Sequence, residues 1–185
     1  MIIGLLGNKG SGKDTCGDYL VSNYNFIKYN FANPVKEISE ILFNLNTQQL
    51  YENKKEEIDT RYNLSPRIIF QRLGTEFGQN MIYDLFPELK DKIEHKLFWV
   101  EMCRNFIDKN KNKNIVICDV RFQHEIDFIK SFNGSIIKLN RSNIIKDTHI
   151  SECEINIIDK SIIDYNIDNT NSKEELYKKI DLLLR

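Results

Sequence analysis

Residues 2–15 constrain this chain more than any other stretch. Ile2-Ile-Gly-Leu-Leu6 is a continuous apolar run that passes directly into Gly7-Asn-Lys-Gly-Ser-Gly-Lys-Asp-Thr15. An unbroken apolar run is how a strand covered on both faces of a parallel sheet reads. Parallel strands need crossover helices, and Cys16, Tyr19, Leu20 and Tyr24 supply helical spacing directly after the loop. The loop matches the pattern G-x-x-x-x-G-K, with Asp14 where the common form has Ser or Thr. Its residue types suit one chemistry. Gly7, Gly10 and Gly12 let the backbone wrap close to phosphate with its N–H groups inward, and Lys9 and Ser11 share that loop. The helix N-terminus adds a partial positive charge, and Lys13 reaches toward β- and γ-phosphates as a point charge. The stretch therefore predicts a site for ATP with magnesium. A glycine-rich turn without a ligand is the plain alternative, and the flanking strand and helix weigh against it.

Asp14 leaves readings open. Its carboxylate takes part in magnesium binding, directly or through water, or the Thr15 hydroxyl does so instead. An acid beside phosphates is unfavourable without a cation, which argues for a metal. A solvated Asp capping the helix is the bland counterpart.

The rest of the chain alternates strand and helix. Phe26 to Phe31 reads as a second strand, and Asn33-Pro34 opens a helix to about Leu45. Thr47 to Asn63 is charge-rich (Glu52-Asn-Lys-Lys-Glu-Glu57) and reads as a surface segment or a mobile flap. Ser65-Pro66 starts a helix to about Met81, and another spans Lys92 to Lys109. Ile115-Val-Ile-Cys-Asp119 is the second strongly buried strand, followed by a helix over Phe122 to Phe132. Ser135 to Leu139 and Asp164 to Asp168 complete the strands. Ser142 to Ile158 reads as irregular or helical. Ser172 with Glu175 forms a capping box for a final helix to Leu184. The pattern is α/β with a mainly parallel sheet.

Asp119 stands at the carboxyl end of a central strand, where open α/β sheets bind ligands. It reads as a magnesium or proton site, or as a cap for the next helix. Arg121 follows it closely.

Composition excludes several classes. Lys+Arg number 26 against Asp+Glu 27, so no global field draws the chain to nucleic acid or membrane. There is no dense basic stripe of the kind a nucleic-acid 5′-end kinase wants. Cys16, Cys103, Cys118 and Cys153 form no CxxC pair, which suits reduced thiols and a cytoplasmic setting. The N-terminus lacks the marks of a signal peptide, and no apolar run reaches membrane-spanning length.

Five segments carry a resemblance: Gly-Lys-Asp-Thr15, Phe31-Ala-Asn-Pro-Val-Lys36, Pro66-Arg67 through Gln71-Arg72-Leu-Gly-Thr-Glu76, Asp119-Val-Arg-Phe122 with Glu125, and His149-Ile-Ser-Glu152. In this order they resemble deoxynucleoside monophosphate kinases of the phage and viral type. The Leu-Gly-Thr-Glu76 and Asp-Val-Arg-Phe122 segments are the specific ones. The resemblance implies a P-loop NTPase three-layer αβα sandwich with helical substrate-binding and lid segments. It implies one kinase domain over residues 1–185, with a substrate-binding insertion at about 32–110 and a lid at about 141–160. The implied reaction moves the γ-phosphoryl of ATP to a deoxynucleoside 5′-monophosphate, in the cytoplasm (of the host, for a virus). A homodimer is common in such a family.

Under that resemblance Lys13, Asp119, Arg121 and Arg141 are the catalytic candidates, and Asp14, Thr15 and Asp119 the metal candidates. Arg67, Gln71, Arg72, Thr75 and Glu76 line the monophosphate pocket, with Lys36, Arg121 and Glu152 as further substrate contacts. Two repelling anions need cations around them more than a strong base. Arginine suits phosphate because its fork binds bidentately. Arg121, beside Asp119, is the foremost choice for the acceptor phosphate, and Arg141 stands where a lid would begin. His149, Ser151 and Glu152 fall in the lid or at the phosphates by resemblance, and read as ordinary loop by spacing. Phe31, Phe77 and Trp99 either stack on the acceptor base or fill the core. Two rivals share the loop: a kinase for another small acceptor such as dephospho-coenzyme A, and a nucleotide switch with little turnover.

Overall fold

The computed structural model describes residues 1–142, 155 and 157–184. The chain divides into two compact units, Met1–Asn30 with Ile107–Arg185, and Phe31–Phe106.

The first unit is built on β1 (Ile2–Leu6), β2 (Phe26–Tyr29), β3 (Asn114–Val120), β4 (Ser135–Asn140) and β5 (Tyr165–Asp168). Their order is β2-β3-β1-β4-β5, and every neighbouring pair is parallel. The register sets Leu6 beside both Val120 and Lys138, and Asn140 beside Asp168. The carboxyl ends of β1, β3, β4 and β5 therefore share one edge. Helix α1 (Lys13–Tyr24) and the last helix, Lys173–Leu183, pack on one face. There Leu5, Cys16, Leu20, Val116, Leu139, Leu176 and Ile180 form a closed apolar layer. Each fully buried aliphatic side chain of this layer contributes about 1.5–3 kcal/mol. The helix Gln123–Ser131 covers the other face through Ile129, which packs over Gly4 beside Ile136. This is a three-layer α/β sandwich.

Two strand ends and one helix cap differ from the sequence expectation. β3 runs one residue beyond Asp119, so the acid lies within the strand. β2 stops at Tyr29, and Phe31 is the N-cap of the next helix. The predicted capping box at Ser172 is formed on one side: Ser172 Oγ accepts from the Glu175 N–H at 3.4 Å, while the Glu175 carboxylate accepts from Asn171 Nδ2 at 2.7 Å.

The second unit begins with α2 (Ala32–Phe43) and the short α3 (Thr47–Tyr51). The charge-rich stretch 47–63 is folded around a buried acid. Asn46 and Gln49 close a reciprocal capping box at α3. Gln49 Nε2 then donates to Asp59 Oδ2 at 2.8 Å, and the Arg61 guanidinium grips the same carboxylate at 2.6 Å. The Arg61 and Gln49 hydrogen bonds hold Asp59 well below the usual carboxylate range. Ser65 caps α4 (Pro66–Gln71), with Pro66 at the first helical position. At Arg72 the helix widens into a π-helix, Arg72–Met81, and returns to α form as α5 (Ile82–Leu85). The continuous α-helix predicted from Ser65 to Met81 is thus replaced over its second half.

The helix predicted from Lys92 starts at Phe98, as α6 (Phe98–Lys109). A 3-10 turn over Pro87–Asp91, a left-handed Lys96 (φ 73°) and a hydrogen bond from Tyr83 Oη to the Glu94 carbonyl (2.9 Å) hold the stretch between as loop. The two remaining helices are α7 (Gln123–Ser131) and α8 (Lys173–Leu183).

Candidate active site

The loop after β1 has the conformation its glycines predict. Gly7, Gly10 and Gly12 take φ of 153°, 81° and 99°, a path that side chains with a Cβ rarely follow. Lys13 opens α1 with its ammonium turned into the loop, donating to the Gly7 carbonyl at 2.5 Å and to the Asn8 carbonyl at 2.9 Å. It is only 7% exposed, so a full charge is held inside the turn by backbone dipoles. Ser11 is also buried, and its Oγ has no hydrogen-bond partner among the described residues. A buried hydroxyl left unmatched costs on the order of 1–3 kcal/mol. An orphaned donor, a buried ammonium and the start of a helix in one turn form a cradle for a phosphate group.

Asp14 lies in the first turn of α1 with its carboxylate on Lys28 Nζ at 3.0 Å, and Asp18 meets the same ammonium at 3.0 Å. Burial alone would lower the Lys28 pKa; the bonds to Asp18 and Asp14 outweigh it, and the net shift is upward. The α1 N-cap is Gly12, with no side-chain cap. Thr15 follows, half-buried.

Asp119 and Arg121 flank the end of β3, both half-buried. The turn between β3 and α7 is held by Glu125, whose Oε2 accepts from the Arg121 N–H at 2.7 Å and the Phe122 N–H at 3.1 Å. Burial and then the nearby Asp119 charge push the Glu125 carboxyl up to about 8, against the pull of those two N–H groups. Arg141 is exposed just past β4.

One residue at this edge carried no sequence signal. Asn169, after β5, is 8% exposed and donates from Nδ2 to the Ser11 carbonyl at 2.9 Å. A Cβ built on Gly12 would stand 2.2 Å from that nitrogen. Asn169 also ties its own N–H to the Asn140 carbonyl at 2.7 Å, linking the phosphate loop to the ends of β4 and β5.

The remaining candidates belong to the second unit. Lys36 holds its ammonium 4.6 Å from the centre of the Tyr51 ring. Arg67 pairs with Glu56 at 3.0 Å. Gln71 ends α4, and Arg72, Thr75 and Glu76 lie in the π-helix, with Arg72 and Glu76 exposed. Phe31 and Trp99 are buried, Phe77 half-buried. A polar hollow of about 520 Å³ opens among Asn44, Gln49, Lys54, Glu57 and Arg61, around the paired Asp59. Glu152, His149 and Ser151 lie outside the described residues.

Among the described residues no three His, Cys, Asp or Glu side chains cluster as a metal cage. Among the same residues no helix is long and apolar enough to cross a membrane. Cys16, Cys103 and Cys118 are buried free thiols, and burial pushes Cys16 up to about 12.

A parallel sheet of this order, with a phosphate loop after β1 and acidic and basic groups at the same edge, defines a P-loop α/β fold. Shikimate kinase from Aquifex aeolicus has the same fold, with a TM-score of 0.54 at 18% identity, covering 100% of this chain and 96% of that one. The family model for deoxynucleotide monophosphate kinase matches residues 1–61 and 43–180. A protein of Acanthamoeba polyphaga mimivirus, provisionally named a deoxynucleotide monophosphate kinase, is 39% identical over 97% of this chain and 94% of its own. The deoxynucleotide monophosphate kinase of Enterobacteria phage T4 is 25% identical over 100% and 98%. The chain belongs to the deoxynucleotide monophosphate kinase family and is an ATP-dependent phosphotransferase.

Proposed function

We propose that the chain transfers the γ-phosphoryl group of ATP to a deoxynucleoside 5′-monophosphate, giving the diphosphate and ADP. The observation that carries this reading is the Lys13 ammonium, buried in a loop whose glycines and orphaned Ser11 hydroxyl suit phosphate. The backbone N–H groups of Gly7 to Thr15 would hold the ATP phosphates, and Lys13 would leave the Gly7 and Asn8 carbonyls for the β- and γ-phosphates. Asp14, Thr15 and Asp119 would hold magnesium, which neutralises charge on the phosphates when bound. Thr15 is less encumbered than Asp14, which Lys28 engages.

The acceptor is itself an anion. Its oxygen needs no strong base, but its approach to ATP needs positive charge. Arg121 is proposed for the acceptor phosphate, and the Glu125 carboxylate fixes its backbone. Arg67, Gln71, Arg72, Thr75, Glu76 and Lys36 are proposed to hold the rest of the monophosphate. Arg67 would have to exchange Glu56 for phosphate. Arg141 and Glu152, in the proposed lid at about 141–160, would close over the phosphates.

The test is ADP release with ATP and magnesium against each deoxynucleoside and ribonucleoside monophosphate. Turnover with one or a few deoxynucleoside monophosphates supports the reading. Bound ATP with no turnover on any of them contradicts it.

A further inference from the structure

The most distinctive sequence segment of the acceptor side, Arg72-Leu-Gly-Thr-Glu76, is wound as a π-helix ten residues long. Most π-helices are single-turn bulges, and they concentrate at functional sites. The winding changes which residues share a face. In an α-helix, residues three and four apart are neighbours, so Gln79 would join Thr75 and Glu76. Here Gln79 is buried with Gly78, and the exposed residues are Arg72, Glu76, Asn80 and Met81. The exposure of Met81, five residues after Glu76, follows the i→i+5 ladder.

The cause is visible in the same unit. The Trp99 indole lies flat against Gly78: a Cβ there would stand 2.2 to 2.4 Å from Nε1, Cε2 and Cζ2. Its Nε1–H donates to the Gly74 carbonyl at 2.7 Å. Trp99 is 6% exposed, and a buried indole N–H requires an acceptor. A helix carbonyl engaged from outside opens the regular ladder, which is a known cause of helix distortion. The two glycines four residues apart form the seat, one giving its carbonyl and the other its bare Cα.

We infer that Trp99 is a positioning residue for the acceptor monophosphate: seated on Gly74 and Gly78, it fixes the π winding of the segment that carries Arg72, Thr75 and Glu76. The inference rests on the acceptor reading of Arg72 to Glu76 given above. Trp99 itself does not have to touch the nucleotide.

The experiment measures KM for the monophosphate and KM for ATP in three variants. Trp99→Phe keeps most of the ring and removes the N–H. Gly78→Ala pushes the indole away from the other side. Arg72→Ala tests the acceptor reading alone. Trp99→Phe and Gly78→Ala are expected to raise the monophosphate KM by roughly fivefold or more, the factor of one hydrogen bond. The ATP KM stays within about twofold, a split that general loosening of the fold would not give. If Arg72→Ala raises the monophosphate KM while Trp99→Phe moves neither KM, or moves both alike, the inference is overturned and the acceptor reading stands. If Arg72→Ala leaves the monophosphate KM unchanged, the acceptor reading fails and the inference with it.

Discussion

Asn169 donates to the Ser11 carbonyl at 2.9 Å and occupies the space that a side chain at residue 12 would need. The phosphate loop is therefore held from outside by the last strand as well as by its own glycines. Asn169→Ala should remove a buried hydrogen bond worth about 1–2 kcal/mol and lower the melting temperature by about 2–8 °C. ATP affinity should fall with it, by roughly tenfold, because the loop loses its fixed path. Calorimetric titration with ATP and a thermal melt check both. A variant that melts lower yet binds ATP as tightly as the parent would show that Asn169 supports the fold alone.

Lys13→Ala should reduce turnover by roughly 100- to 1,000-fold, the scale of losing one preorganised charge contact to the transition state. The melting temperature should change little, because the Gly7 and Asn8 carbonyls it releases can take water. Steady-state assays beside a melt separate the two effects.

Lys28 bridges Asp14 and Asp18, whose side chains are 81% and 69% exposed, so the pairs contribute under about 1 kcal/mol. Lys28→Met should barely alter stability. It should instead free the Asp14 carboxylate, and the magnesium concentration for half-maximal activity should fall about two- to threefold. Adding Asp14→Asn should reverse that gain. Titration of activity with magnesium at fixed ATP reads the outcome.

Glu125 gives a pH signature. Its carboxyl, at about 8 in the folded chain, lies above its ordinary value of 4.5. Between those values the folded state keeps a proton that the unfolded state has lost, so this contribution to stability is full below pH 4.5 and is lost as pH rises through 8. Glu125→Gln removes the dependence and can still accept the Arg121 and Phe122 N–H bonds. Relative to the parent, the variant should gain several degrees in melting temperature between pH 5 and pH 8.5. Parallel melts at three pH values test this; a constant offset would mean that Glu125 is ionised throughout.

Much of this was legible from local pattern. An apolar run of five and three glycines within six residues each declare themselves without a partner, and so β1 and the loop were readable. The π-helix was not, because its cause is a tryptophan 25 residues away in sequence. Asn169 was hidden for the same reason, its bond to the loop spanning 158 positions. The stretch 47–63 looked like solvated charge, since nothing in its composition tells that Asp59 is buried and gripped by Arg61. Conversely, the helix predicted from Lys92 begins only at Phe98, past a left-handed Lys96.

The central claim is that the γ-phosphoryl of ATP arrives on a nucleotide. The direct measurement supplies ATP labelled at the γ position, magnesium and each deoxynucleoside monophosphate, and separates the products by chromatography. The account predicts label in a deoxynucleoside diphosphate, formed roughly 100- to 1,000-fold more slowly with Lys13→Ala. Label appearing only as inorganic phosphate, or remaining on ATP that is demonstrably bound, would contradict it.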